Sequence, residues 1–243
     1  MRWPAVGRRL LPLTALRRVD HGGSLRRLRR GHRNVAVMFV DLEGCTHLCE
    51  DLSLSEMNRL MEVYFSRYLD VVHAAGGGVT ELLGDGLVAL FEGPSLRTDS
   101  TRAILAALEI RQTTRELNRR HGGRHPPIVV NIGLNAGAEL VGITVLRSQS
   151  GERWFYRAIG PVTNVAARIC ELAEHGQILV SGDIAASVAG AYGLRAVGPR
   201  RLKNVRGVVR VFEVLPSNGR QDPGRAAAPA RLPRLARDRV ERP

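Results

Sequence analysis

The sequence predicts an α+β fold, a ferredoxin-like βαββαβ core with an antiparallel sheet, followed by a C-terminal α/β annex. Three observations predict it. Apolar β-type runs and segments of helical spacing follow one another in the order β-α-β-β-α-β. Glycine clusters punctuate them at Gly76-Gly77-Gly78, Gly84-Asp85-Gly86 and Gly122-Gly123. The charge distribution confines the globular part to one stretch of about 180 residues, a usual size for one domain.

The first strand is expected over Val35 to Leu42, an almost unbroken apolar run rich in valine. Ser53 to Ala75 has helical spacing, with Leu54, Met57, Leu60, Met61, Tyr64 and Leu69 on one side. Ser53 and Glu56 form a capping-box pattern at its start. Val79 to Leu83 and Leu87 to Phe91 flank Gly84-Asp85-Gly86 and read as a hairpin, since Asp-Gly suits a tight turn. A second helix fits Thr98 to His121, and a strand follows Pro126-Pro127 over Ile128 to Leu134. Beyond it, β-like segments lie at Leu140 to Leu146 and Trp154 to Ile159, a helix at Val162 to Glu174, and strands at Gln177 to Val180 and Val208 to Leu215.

The chain has 243 residues and a formal charge of +13. Residues 1–34 carry ten Arg against Asp20 alone, and residues 217–243 carry seven Arg against Asp222, Asp238 and Glu241. Residues 35–216 are therefore neutral, and the basic excess belongs to the two tails. The expected organisation is an Arg-rich arm over 1–34, a balanced globular domain over 35–216 and a basic Pro/Ala/Arg tail over 217–243. Blocks of like charge of this kind act as interaction arms, so weak contact with an anionic surface, nucleic acid or membrane, is an expected property of the tails. Three cysteines, Cys45, Cys49 and Cys170, do not make a disulfide framework and fit a reducing compartment. Cys45, His47 and Cys49 lie close together, but a structural zinc site needs a second pair and none exists. No apolar run reaches the ~18 residues that span a bilayer. The expected setting is cytoplasmic, with peripheral contact through the arms.

Two acidic turns carry candidate chemistry. Asp41 ends the first strand in Asp41-Leu42-Glu43-Gly44-Cys45-Thr46, and Asp85 sits at the tip of the hairpin. In this topology the two carboxylates converge at one sheet edge, a natural pair for Mg²⁺ or Mn²⁺ in phosphoryl chemistry. Gly44 and Thr46 let backbone N–H groups approach a triphosphate. Each Asp alone is equally well explained as a cap or turn residue. Asn164 and Arg168, four apart, share one helix face and present an amide and a guanidinium, donors suited to an anionic, ribose-bearing transition state. On an isolated helix the same pair reads as a solvated stripe.

Phe39 to Leu48, the Gly84-Asp85-Gly86 turn and Ala158-Ile159-Gly160 through Asn164-Val165-Ala166-Ala167-Arg168 together resemble the class III adenylate/guanylate cyclase catalytic domain over roughly residues 35–215. The resemblance implies the nucleotide cyclase fold and conversion of ATP or GTP to the 3′,5′-cyclic nucleotide and pyrophosphate, a step of intracellular signalling. It implies two divalent cations held by Asp41 and Asp85, and a homodimer with sites at the interface. Asn164 and Arg168 of the other subunit would complete each site. Lys203 matches the family's phosphate-contacting lysine and is the only Lys among 36 basic residues. The base-reading positions hold Glu81 and Arg157. Glu81 matches guanylate cyclases, and Arg157 offers donors suited to guanine. The alternative is that these two residues pair with each other. That would fit a catalytically degenerate domain which binds a nucleotide or a partner.

Overall fold

The computed structural model describes residues 29–45, 48, 52–120, 125–149 and 151–216. The Arg-rich stretches 1–28 and 217–243, and with them Thr46, His47 and Cys49, lie outside the described residues.

Among the described residues, an eight-stranded sheet and four helices make up the domain. The elements are β1 (Gly31–Glu43), α1 (Leu54–Ala74), β2 (Gly78–Leu83), β3 (Gly86–Phe91), α2 (Leu96–Arg120), β4 (Val129–Ser148), β5 (Gly151–Ile159), α3 (Pro161–Cys170), β6 (Ile178–Ser181), α4 (Gly182–Ser187), β7 (Leu194–Arg200) and β8 (Val209–Val214). Strands run β2-β3-β1-β4-β6-β8-β7 across the sheet, with β5 paired to β4. The first four in that order, β2-β3-β1-β4, are antiparallel and constitute the expected βαββαβ core. The single parallel pairing, β4 with β6, attaches the annex.

Alternation along β1 divides the molecule into two faces. Ala36, Met38, Val40 and Leu42 point toward α1, α2 and α4 and join the main core with Tyr64, Tyr68, Phe91, Ile104 and Ile110. Val35 and Val37 point the other way, where Val88, Leu90, Tyr156, Val162 and Ala166 pack over them. That second face is roofed by β5 and α3, so it is where the sheet meets the annex. Tyr156 anchors β5 there. Its hydroxyl donates to Glu92 at 2.6 Å and accepts from Arg33 at 3.3 Å, and Arg33 and Glu92 pair at 3.1 Å.

The structure departs from the sequence expectation in several places. Capping at Ser53 is as expected: its hydroxyl accepts from the Glu56 amide and the Glu56 carboxylate accepts from the Ser53 amide. The buried stripe of α1, however, is Met57, Leu60, Tyr64, Phe65, Tyr68 and Val72, while Leu54 and Leu69 are exposed. The strands expected over Ile128 to Leu134 and Leu140 to Leu146 are one strand, which begins at Val129. β4 continues without a break because β1 pairs with its first part and β5 with its last. The helix expected to reach Glu174 stops at Cys170, with Glu171 as its cap. The short helix α4 and strand β7 were not anticipated. Neither carries a long apolar period, and β7 is held by its pairing with β8.

Candidate active site

Asp41 lies on the same face of β1 as Val37 and Phe39, one step beyond the apolar row. It stands opposite Gly86 in the β1–β3 register, which brings it beside Asp85 in the preceding turn. Asp41 feels the neighbouring charge of Asp85. The Asp41 carboxyl is raised from 3.8 to about 6, first by burial and then by the negative charges of Asp85 and Glu171. Gly44, the first residue past the strand end, has φ +73°, a left-handed conformation that glycine adopts without strain. The turn it makes leads straight into the helical segment at Cys45 and Leu48, where the Leu48 amide donates to the Gly44 carbonyl at 3.1 Å.

A second group of residues gathers on the β5 side. Val37, Phe39, Thr80, Glu81, Val88, Leu90, Ala158 and Thr163 line a cavity of about 270 Å³ including its open mouth. Its walls are mainly apolar, with the Glu81 carboxylate as its charged group. Arg157, on β5, reaches back toward Glu81 at 3.8 Å, so the two residues at the base-reading positions pair with each other across the mouth.

Asn164 and Arg168 both lie on α3. Asn164 is exposed, and the Arg168 guanidinium is engaged by the Glu171 carboxylate one turn on. Glu171 thus touches Arg168 and raises Asp41 electrostatically, linking the end of α3 to the carboxylate pair. Cys170, between them, is buried. Its thiol is pushed up to about 12, chiefly by burial, and donates to the Asn131 carbonyl at 3.4 Å. Lys203 is exposed in the turn between β7 and β8, next to Leu202, which packs in one cluster with Ile169 of α3.

The structure therefore joins Asp41 to Asp85 and Glu81 to Arg157, places Asn164 and Arg168 on one helix, and puts Lys203 on the turn between β7 and β8. Thr46 lies outside the described residues. Sequence reasoning missed Glu171, because the helix was drawn through it. It also missed Glu139, a 2 % exposed acid inside β4. The signal for Glu139 was present, since Asn131, Asn135 and Glu139 are the polar positions of an otherwise apolar run.

The sheet order, the carboxylate pair at the β1 end and the helix bearing Asn164 and Arg168 define a nucleotide cyclase catalytic domain. The chain belongs to the adenylate and guanylate cyclase catalytic-domain family, whose model matches residues 29–214. It is similar to the adenylyl cyclase CyaB of P. aeruginosa, with a TM-score of 0.71 at 25% identity over 80% of this chain and 99% of that one. It is also similar to the guanylyl cyclase Cya2, with a TM-score of 0.68 at 28% identity over 79% of this chain and 98% of that one. Among curated sequences, the uncharacterized protein Rv1320c of Mycobacterium tuberculosis is 31% identical over 70% of this chain. The chain spans only 27% of the length of that relative. Among the described residues, no helix is long and apolar enough to cross a membrane.

Proposed function

We propose that the protein cyclises a purine nucleoside triphosphate, ATP or GTP, to the 3′,5′-cyclic monophosphate with release of pyrophosphate, at the interface of a homodimer. The observation that carries this reading is the juxtaposition of Asp41 and Asp85. A carboxylate whose proton affinity is raised by a neighbouring carboxylate, as Asp41 is by Asp85, is a poor arrangement alone and a good one around a cation. The donor set is all oxygen, which fits Mg²⁺ or Mn²⁺. Two divalent cations, when bound there, lower the pKa of the ribose 3′-hydroxyl and neutralise the departing pyrophosphate.

The chain's own groups do the remaining work. Asp41 and Asp85 hold the cations. The apolar cavity under β5 takes the purine face, and the Glu81 carboxylate accepts from its edge. Guanine fits this pair, since its N1–H and 2-amino group donate to a carboxylate and its O6 and N7 accept from Arg157. Asn164 orients the ribose, Arg168 balances charge growing on the α-phosphate, and Lys203 holds the terminal phosphates. As the resemblance to the family implies, one chain supplies the carboxylates and its partner supplies Asn164 and Arg168. The exposed apolar residues Leu146, Phe155 and Ile159 of the β4–β5 hairpin support a docking role for that hairpin.

The Glu81–Arg157 pair favours a second reading, a domain that binds nucleotide without turning it over, because the base must compete with the pairing. One assay separates the two. Purified protein is given ATP and GTP in parallel with Mg²⁺ and with Mn²⁺, beside Asp85→Ala. Metal-dependent cyclic product that disappears in the variant supports the cyclase. Nucleotide binding without product supports the second reading.

A further inference from the structure

Helix α3 begins without a cap of its own. Gly160 at its N-cap offers no side chain, and Pro161 at its first position has no amide to give. The first turn is held from β4 instead. On the face of β4 beneath the helix, alternate residues are Gly133, Asn135, Gly137 and Glu139. The glycines let the helix come close: a β-carbon at Gly133 would lie 2.2 Å from the Cys170 nitrogen and 2.6 Å from the Ala166 oxygen. At Gly137 it would lie 3.1 Å from Val162 Cγ2. The two polar residues then grip the first turn. Glu139 Oε2 accepts from the Thr163 amide at 2.9 Å, and Asn135 Nδ2 donates to the Val162 carbonyl at 3.1 Å.

Both gripping side chains are buried, Glu139 at 2 % and Asn135 at 5 % exposure. A buried carboxylate in a strand core is costly unless something holds it. Burial raises the Glu139 carboxyl, and the Val162 and Thr163 amides oppose that rise. Glu139 Oε1 packs against Gly160, where a β-carbon would sit 2.7 Å away, so the sequence also clears a path for this carboxylate.

We infer that Glu139, with Asn135, is a positioning residue for the proposed reaction: a clamp from β4 that sets the first turn of α3 and so the placement of Asn164, the residue directly after Thr163. The inference rests on the cyclase reading above for the role of Asn164, and on the contacts alone for the clamp. Neither residue touches substrate in this account. Their effect is transmitted through one turn of helix, where a displacement of ~1 Å costs on the order of 100-fold in rate.

The test compares Glu139→Gln, which keeps an acceptor, with Glu139→Leu, which keeps the volume and removes it. Three readouts are taken on the full-length protein: kcat and KM, hydrogen exchange of the amides of residues 162–166, and the melting temperature. The clamp predicts that Glu139→Gln stays within about threefold of wild type in kcat. Glu139→Leu loses about tenfold or more in kcat at nearly unchanged KM, and its first-turn amides exchange about tenfold faster. A site that merely needs filling predicts the opposite order, with Leu at least as good as Gln. Equal kcat and equal exchange in the two variants would overturn the clamp, as would a loss confined to KM. Asn135→Ala gives a second arm should Glu139→Leu fail to fold. It is expected to reduce kcat and first-turn protection in the same direction, and no change in either counts against the inference. If wild type itself makes no cyclic product, the cyclase reading has failed, and hydrogen exchange still decides the clamp.

Discussion

Replacing Gly133 by Ala adds one methyl group at a close contact between β4 and α3. Built on the present backbone, that carbon would stand 2.2 Å from the Cys170 nitrogen, 2.5 Å from its α-carbon and 2.6 Å from the Ala166 oxygen. Ordinary van der Waals contact is about 3.5–4.0 Å. All three obstacles are helix backbone, so no side-chain rotation relieves the overlap, and α3 must move off β4 by roughly 1 Å. Overpacking of this kind costs about 1–3 kcal/mol. For a domain of this size that corresponds to a fall of about 2–12 °C in melting temperature. The same shift displaces Asn164 and Arg168, so kcat is expected to fall on the order of 100-fold. Thermal melts and the cyclase assay, run on the same preparation, measure both. A variant that melts within about 1 °C of wild type with unchanged kcat would refute the claim that the glycine seats the helix, because a 1 kcal/mol cost already shifts the melt by more.

The remaining predictions concern the carboxylates and the core. Asp85→Ala should abolish metal-dependent turnover, by about 100-fold or more, while circular dichroism remains native. Asp85→Asn removes the neighbour that helps raise Asp41 to about 6 from 3.8. An acid whose folded pKa is raised contributes stability that is present below about 3.8 and lost as pH rises through about 6. In metal-free protein the stability of Asp85→Asn relative to wild type should therefore increase between those two pH values. Asp41 is partly open to solvent, so the gain is at most about 1 kcal/mol. A flat difference in melting temperature across that range would contradict the electrostatic coupling. Tyr68→Phe removes a buried bond of 2.7 Å to Thr114, far from the site, and should cost about 1 kcal/mol without changing kcat.

The core order was legible in the sequence because each of its elements has a local signature: the valine run of β1, the capping box at Ser53, the Asp-Gly turn between β2 and β3. What could not be read there depends on tertiary context. β4 looks like two segments because polar Asn135 and Glu139 interrupt its apolar alternation, and those interruptions have a cause only once α3 is seen lying on them. The end of α3 was misplaced because helical spacing continues past Cys170, while the turns through Leu172, Ala173 and the left-handed His175 terminate the helix. The site was legible as types of residue at the right intervals. The pairing of Glu81 with Arg157, an alternative the sequence left open, joins residues of separate strands that only the fold brings together, whereas the contact of Glu171 with Arg168 follows the i,i+3 spacing of a helix surface.

The period of two in β1 explains why stability and chemistry separate in this domain. Met38, Val40 and Leu42 are spent on the main core, and a polar group among them would be buried without a partner. Phe39 and Asp41, one residue out of phase, open onto the face roofed by β5 and α3, where the cavity and the carboxylate pair lie. A slip of one residue in the β1 register would bury Asp41 among α1 and α2 and expose Met38 and Val40, so the hydrophobic face enforces the position of the carboxylate. The thirteen-residue pairing of β1 with β4 makes such a slip costly over its whole length. The same pairing ties Asp41 to the strand that grips α3. Within one chain, the carboxylates proposed for one site of a dimer and the helix proposed for the other are thus carried by a single β1–β4 ladder, and a displacement at either has a short covalent and hydrogen-bonded route to both.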